Sequence, residues 1–137
     1  MMQRYVLDAW ALVAFVESEE PAASRVKALL AAAEAGAAEL RASVINLGEV
    51  YYRIGRKHGA RLADETLAEL RDLAMEIVSA HDDLVFAAAQ LKMRHSISYA
   101  DAFAAATAVA QRAILVTGDR DFTALADRVQ IEWLARR

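Results

Sequence analysis

Five acids are the residues whose types and positions could do chemistry: Asp8, Glu49, Asp101, Asp119 and Asp121. Carboxylates gathered in one cleft repel one another, and a bound divalent cation relieves that repulsion. The chain has no cysteine, so a metal ion would need oxygen or histidine ligands. Ligand sets made only of oxygen favour hard ions such as Mg²⁺ or Mn²⁺. Because these ions bridge phosphates and generate a nucleophilic hydroxide, the acids indicate metal-dependent cleavage of phosphodiesters.

Helix capping is the competing interpretation of the same acids. Asp8 and Asp121 can each cap a helix that follows them, and residues 46–49 and 98–101 both resemble capping boxes. Taken singly, each acid is more simply explained in this way. Taken together, the acids favour a shared site, because capping alone does not gather acids at one edge of a sheet. The positive ends of the helix dipoles would also favour ionised carboxylates there.

The elements that must position these acids are short apolar strands alternating with helices. The apolar pattern predicts strands at residues 5–7, 40–44, 76–79, 113–117 and 129–133. It predicts helices at residues 9–17, 21–35, 46–58, 60–73, 81–95 and 98–112, with a short helical turn at 122–126. Such strands are typical of a parallel sheet buried on both faces, so the predicted fold class is α/β. In these sheets ligands bind outside the carboxyl ends of the strands, where the acids lie in this sequence.

The bulk composition limits the classes of protein that remain. The 137 residues suffice for one domain, and 57% of them are hydrophobic, which excludes intrinsic disorder. The net charge of −3 does not by itself indicate a nucleic-acid binder. No signal peptide and no apolar run long enough for a membrane span stand out, so we expect a cytoplasmic protein with no membrane contact.

A recognisable series of motifs runs through the chain at residues 6–12, 46–50, 98–108 and 115–122. In their order and spacing these motifs resemble the PIN domain family, and more narrowly the VapC-type toxin ribonucleases. The resemblance spans essentially the whole chain, residues 1–137, and implies a single PIN domain. It further implies a three-layer α/β sandwich in which helices flank a short, mostly parallel central sheet.

The resemblance also implies a metal-binding quartet that holds Mg²⁺, or alternatively Mn²⁺. Asp8, Glu49 and Asp101 match three of its positions. Asp119 and Asp121 both fit the fourth position, and the choice between them stays open.

The chain departs from the family pattern directly after its first acid. The family often has a hydroxyl residue there, whereas this chain has Ala9 and Trp10. A polar contact to the water shell of the metal is then either missing or supplied by Thr117. Trp10 itself is predicted as a core or dimer contact.

Basic and aromatic residues are concentrated directly after Glu49, at Tyr51, Tyr52, Arg53, Arg56, Lys57 and Arg61. In the functional interpretation Arg53, Arg56 and Lys57 contact RNA phosphates, and an aromatic ring stacks on an unpaired base. The alternative is a solvated helix face with one tyrosine turned inward.

The resemblance implies a metal-dependent endoribonuclease toxin that cleaves RNA and is neutralised by a VapB-type antitoxin. A homodimer is expected too, because the apolar fraction is high for a thin sandwich of this size. One alternative is a housekeeping RNA-processing PIN nuclease. Another is a catalytically silent PIN-like module that binds RNA or protein, although the presence of all the family-type acids argues against it. A haloacid-dehalogenase-type phosphatase would need Asp-x-Asp at the first strand, and Trp10 stands where the second aspartate would be.

Overall fold

A five-stranded parallel sheet lies at the centre of the fold, which a computed structural model describes for residues 2–137. Its strands are β1 (Gln3–Leu7), β2 (Ala38–Ser43), β3 (Glu76–Val78), β4 (Ile114–Thr117) and β5 (Ile131–Trp133). The strand order is β3-β2-β1-β4-β5, and the four pairings between neighbours are all parallel. The predicted α/β class is therefore confirmed.

Six helices and one 3₁₀ turn complete the described chain. They are α1 (Ala9–Val16), α2 (Ala22–Glu34), α3 (Val44–His58), α4 (Ala60–Arg71), α5 (Asp82–Arg94), α6 (Tyr99–Gln111) and the turn Arg120–Leu125. Within residues 2–137, no helix combines the length and the apolar character that a membrane crossing requires.

Both faces of the sheet are covered by buried hydrophobic residues. Leu7, Leu40 and Val116 pack with side chains from α1 to α4 on one face. Val6 and Leu115 pack with side chains from α5 and α6 on the other. Neighbouring residues of a strand point to opposite faces, so strands that are apolar at every position can fill both cores. The result is the three-layer sandwich that the sequence predicts.

The chain changes direction across the sheet at β1. From β1 it runs outward to β2 and β3, and it then returns to place β4 and β5 on the other side of β1. The carboxyl ends of β1 and β4 therefore flank the topological switch point, which is where ligands bind in open parallel sheets. Asp8 directly follows β1, and Thr117 is the last residue of β4.

Every predicted element is present, with its ends within two residues of the predicted ones. The start of α3 shows what limits this agreement. The sequence predicts Asn46 as the cap of this helix, but the cap is Ser43, whose hydroxyl accepts a hydrogen bond from the Ile45 N–H at 3.2 Å. Helix α3 therefore begins at Val44, β2 ends at Ser43, and Asn46 is buried inside the helix.

Candidate metal centre

Asp8 is an almost fully buried carboxylate at the carboxyl end of β1, with 1% of its surface exposed. One oxygen, Oδ1, accepts a hydrogen bond from the Ala11 N–H at 2.9 Å, so Asp8 caps α1 as predicted. The other oxygen, Oδ2, accepts a hydrogen bond from the Thr117 hydroxyl. Burial raises the pKa of Asp8 to about 7, these two hydrogen bonds oppose the rise, and the charges of Asp101 and Asp119 add to it. The ionised form of Asp8 therefore favours a nearby positive charge.

Three further acids form a cluster beside Asp8. Asp101, Asp119 and Asp121 each place a carboxylate oxygen within 4.8 Å of the others. Asp101 lies in the first turn of α6, where its N–H donates to the hydroxyl of the cap residue Ser98 at 3.1 Å. Burial raises the pKa of Asp101 to about 6, with a further contribution from Asp119, while a hydrogen bond between the Ser98 side chain and the Asp101 carboxylate opposes the rise. Carboxylate oxygens at this spacing suit a hard divalent cation.

The segment after β4 carries two of these acids and is held by short local hydrogen bonds. The Thr117 hydroxyl accepts from the Asp119 N–H at 3.0 Å while it donates to Asp8. The Asp119 Oδ1 accepts from the Asp121 N–H at 2.9 Å, so Asp119 caps the following 3₁₀ turn. The capping role predicted for Asp121 is therefore wrong. Asp119 and Asp121 both lie in the cluster, so the structure does not choose between them for the fourth position of the motif.

Gly118 contributes to the site through its missing side chain. A Cβ atom at Gly118 would lie 2.3 Å from Cη2 of Trp10, so the indole occupies the space that any larger residue would need. Trp10 packs against the core as predicted, and the Arg136 guanidinium carbon lies 5.2 Å from its ring centre. The sequence pattern marks Gly118 only as the end of a strand. The acidic segment after β4 is thus packed directly on the helix that follows Asp8.

Glu49 and Asn46 extend the site along α3. Because α3 begins at Val44, Glu49 lies in its second turn rather than its first. The Glu49 Oε2 is 3.5 Å from the Arg53 Nε, but its buried Oε1 finds no hydrogen-bond partner among residues 2–137. Asn46 lies about one turn earlier, and its Nδ2 donates to the Ala100 carbonyl, next to Asp101, at 3.1 Å. The sequence pattern gave no sign of this role, because the burial of Asn46 depends on packing between α3 and α6.

The exposed face of α3 carries most of the predicted RNA contacts. Arg53 and Arg56 follow Glu49 by four and seven positions, so they share its side of the helix. Both are exposed, and the Arg56 guanidinium carbon lies 5.1 Å from the ring centre of Tyr52. Tyr51 and Tyr52 are 37% and 49% exposed, so neither tyrosine is turned inward. The exposure of this helix face is compatible both with RNA contacts and with a solvated face.

Lys57 differs from the two arginines. Its Nζ lies 2.7 Å from Oε2 of Glu17, the residue that follows α1. The hydrogen bond from the Lys57 amine and its positive charge hold the pKa of Glu17 below its usual value. Lys57 therefore joins two helices in addition to any contact it makes with a substrate.

The set of candidate metal ligands fits a hydrated hard cation. The clustered ligand atoms are all carboxylate oxygens, as Mg²⁺ and Mn²⁺ prefer. The orphaned acceptors on Glu49 and Asn46 lie in the adjacent helix. Buried acceptors normally have a donor, and the water shell of a cation is a source of donors.

Known proteins resemble this chain both in sequence family and in fold. The family model for the PIN domain matches residues 5–128. No curated protein matches the sequence at a significant level.

Several solved structures share the fold. VapBC2 from Rickettsia felis, bound to a DNA fragment from its promoter, aligns with a TM-score of 0.73 at 19% identity over 95% of this chain and 98% of its own. DNA-bound VapBC from Salmonella typhimurium gives 0.73 at 15% identity, covering 96% and 98%. The sarcin–ricin loop cleaving toxin VapC20 from Mycobacterium tuberculosis gives 0.70 at 21% identity, covering 88% and 93%. The family match runs from β1 past the last of the clustered acids, and the chain therefore belongs to the PIN domain family.

Proposed function

We propose that this protein is a metal-dependent endoribonuclease that acts as the toxin of a VapBC-type toxin–antitoxin pair. The observation that carries the proposal is the gathering of Asp101, Asp119 and Asp121 beside the buried Asp8 at the switch point of the sheet. Acids this close are costly without a cation, so their assembly is hard to explain as capping alone. A bound Mg²⁺ or Mn²⁺ supplies charge neutralisation at the phosphate and a water of lowered pKa for hydrolysis.

The protein side of the chemistry is orientation and charge. Asp101, Asp119 and Asp121 supply the clustered oxygens that would hold the ion. Asp8 adds a negative charge, and hydrogen bonds from Thr117 and from the first turn of α1 fix the orientation of its carboxylate. Each oxygen of Asp8 keeps a second lone pair, so the carboxylate remains able to bind an ion or its water.

RNA is the proposed substrate, and α3 is its proposed binding surface. Arg53 and Arg56 would bind the phosphates on either side of the scissile bond, since both lie on the side of α3 that carries Glu49. The exposed ring of Tyr52, beside Arg56, offers a stacking surface for an unpaired base. The likeness to VapC20, whose substrate is the sarcin–ricin loop, supports RNA over DNA.

A VapB-type antitoxin is the proposed inhibitor, and a second copy of the chain is the proposed permanent partner. An arginine or lysine of the antitoxin would pair with the clustered acids and displace the metal. A groove of about 680 Å³ between α1, α2 and α4, lined in part by Phe15, Val16 and Leu73, offers apolar surface on which an amphipathic helix of the same protein would dock. The likeness of this chain to proteins solved as VapBC complexes supports a VapB-type antitoxin as its partner.

Replacing Asp8 with asparagine tests the proposed activity, because the shape is kept and the charge is lost. With Mg²⁺ present, Asp8→Asn should slow cleavage of structured RNA by at least about 100-fold, while circular dichroism stays unchanged. In cells, the wild-type protein expressed alone should arrest growth, Asp8→Asn should relieve the arrest, and an adjacent small gene should rescue the wild type.

Two outcomes would redirect the proposal. Cleavage by folded Asp8→Asn at the wild-type rate would remove the metal mechanism. Harmless expression of the active wild type, in its native host with the adjacent gene deleted, would favour the housekeeping nuclease.

A further inference from the structure

Two buried acceptor atoms without a donor belong to residues three positions apart on α3. They are Oδ1 of Asn46 and Oε1 of Glu49, both without a hydrogen-bond partner among residues 2–137. The residues are three positions apart, so their side chains emerge from neighbouring places on the helix. A buried acceptor with no donor is energetically unfavourable, and native structures tolerate few of them. Two within one helical turn indicate that something absent from the chain itself supplies the donors.

The orientation of the Asn46 amide is fixed by its one hydrogen bond. Asn46 is 1% exposed, and its NH₂ group donates to the carbonyl of Ala100 at 3.1 Å. Since a carbonyl can only accept, the atom facing Ala100 has to be the nitrogen, and the oxygen occupies the other corner of the planar amide. The amide thus bridges the helix that carries Glu49 and the residue that precedes Asp101.

No group among residues 2–137 donates a hydrogen bond to the two orphaned oxygens. Arg53 serves the other oxygen of Glu49, with Nε 3.5 Å from Oε2. The remaining neighbours in the cluster, Asp101, Asp119 and Asp121, are themselves acceptors when ionised. A hydrated hard cation has the required chemistry, because Mg²⁺ dehydrates reluctantly and the waters it keeps point their hydrogens outward.

We propose that Asn46 is a positioning residue of the metal centre, whose Oδ1 accepts a hydrogen bond from the hydration shell of the cation. This inference rests on the proposed metal-dependent function and deepens it. Glu49 Oε1 accepts in the same way, so that α3 holds the ion through its water while the aspartates hold it directly. The bond from Asn46 to Ala100 keeps α3 in register with the first turn of α6, which carries Asp101.

Calorimetric titration of the wild type and of three variants tests this role. The titrants are Mg²⁺ and hexaamminecobalt(III), whose bound ammonia molecules do not exchange and therefore bind only as hydrogen-bond donors. Asn46→Ala removes the acceptor and the bond to Ala100, whereas Asn46→Asp removes the same bond but keeps an oxygen. Thr107→Val is the matched control, because it removes a buried hydrogen bond, from Thr107 to the Phe103 carbonyl, further along α6.

We expect Asn46→Ala to weaken binding of both titrants by about 10-fold. This is in the range for residues that hydrogen-bond to the ligands of a metal rather than to the metal itself. Asn46→Asp should bind both at least as tightly as the wild type, although it melts at a lower temperature. Thr107→Val should bind like the wild type.

Four results would overturn the inference. Wild-type affinity in Asn46→Ala would show that the amide serves only to join the helices. Equal weakening in Asn46→Asp and Asn46→Ala would show that the bond to Ala100 is the whole effect. If Asn46→Ala fails to fold, weaker binding by Asn46→Asp than by the wild type decides against the proposal, and equal or tighter binding supports it. A wild type that binds neither titrant would refute the proposed metal function as well, so the two failures are distinguishable.

Discussion

At the scale of single residues, the buried carboxylate of Asp8 ties the stability of the fold to pH. Its pKa in the folded chain is about 7, whereas the ordinary value is 3.8. Between these two values the folded state holds a proton that the unfolded state has lost, so protonation stabilises the folded chain. Raising the pH through about 7 removes this stabilisation, and the shift corresponds to about 4 kcal/mol at most. Asp101, with a pKa of about 6, acts in the same direction.

We therefore expect the metal-free protein to lose stability as the pH rises from about 5 to about 8. Urea denaturation in the presence of EDTA measures this slope. Asp8→Asn should be more stable than the wild type at about pH 8 and should show a much flatter profile, because it has no charge to bury. A wild-type stability that stays level over this range would contradict the assignment of a raised pKa to Asp8.

At the scale of elements, the contact between α1 and the segment after β4 sets where the acids lie. The ring of Trp10 fills the space beside Gly118, and Asp119 is the next residue. A methyl group at Gly118 would have to displace the indole or move the acidic segment. Overpacking of this kind costs about 1–3 kcal/mol.

Gly118→Ala should lower both the melting temperature and the affinity for Mg²⁺. Adding Trp10→Phe should restore much of both, because the shorter ring leaves room for the methyl group, and this recovery is the non-additivity expected of residues in contact. Gly48→Ala is the control, since a Cβ atom there meets no other atom of residues 2–137 within 4 Å. Additive effects of the two changes would argue against a direct steric coupling.

Local sequence signals predict the elements well and their contacts poorly. The strands are predictable because each contains apolar residues in a short run or in alternation. Asp8 and Ser98 are predictable as caps because each stands directly before its helix. The cap of α3 is not, because Ser43 and Asn46 are both good capping residues three positions apart. Tertiary packing decides between them, since Asn46 is buried by its bond to Ala100, 54 positions away.

For the acids of the site too, one feature is predictable from the sequence and another is not. The edge of the sheet at which they gather follows from the alternation of strands and helices, which is visible in the sequence. The arrangement of Asp119 and Asp121 does not, because it depends on a hydrogen bond between these two neighbouring residues after β4.

At the scale of the whole molecule, α5 presents an apolar surface that a second copy of the chain could cover. Phe86 and Met93 are 66% and 80% exposed, and their spacing of seven places them on one face of the helix. Large apolar side chains grouped in this way are typical of interaction sites. The surface lies on the opposite side of the sheet from the groove proposed for the antitoxin, so both partners can bind together.

Light scattering should therefore return about twice the 15.0 kDa mass of one chain. Met93→Glu should shift the mass toward a single chain, because a charge buried in an interface has no partner. Leu62→Glu, at a 39% exposed leucine on α4, should leave the mass unchanged. A mass near 15.0 kDa for the wild type across micromolar concentrations would refute the dimer.

The hydrogen bond between Asp8 and Thr117 joins residues 109 positions apart, and this separation governs when the site can exist during translation. At roughly 5–20 residues per second, a ribosome needs several seconds to get from one to the other. Throughout that interval the nascent chain holds Asp8 but lacks the complete β4 and the acids after it. A product released early is therefore expected to be harmless, and the proposed nuclease can become active only after nearly the whole domain has been made.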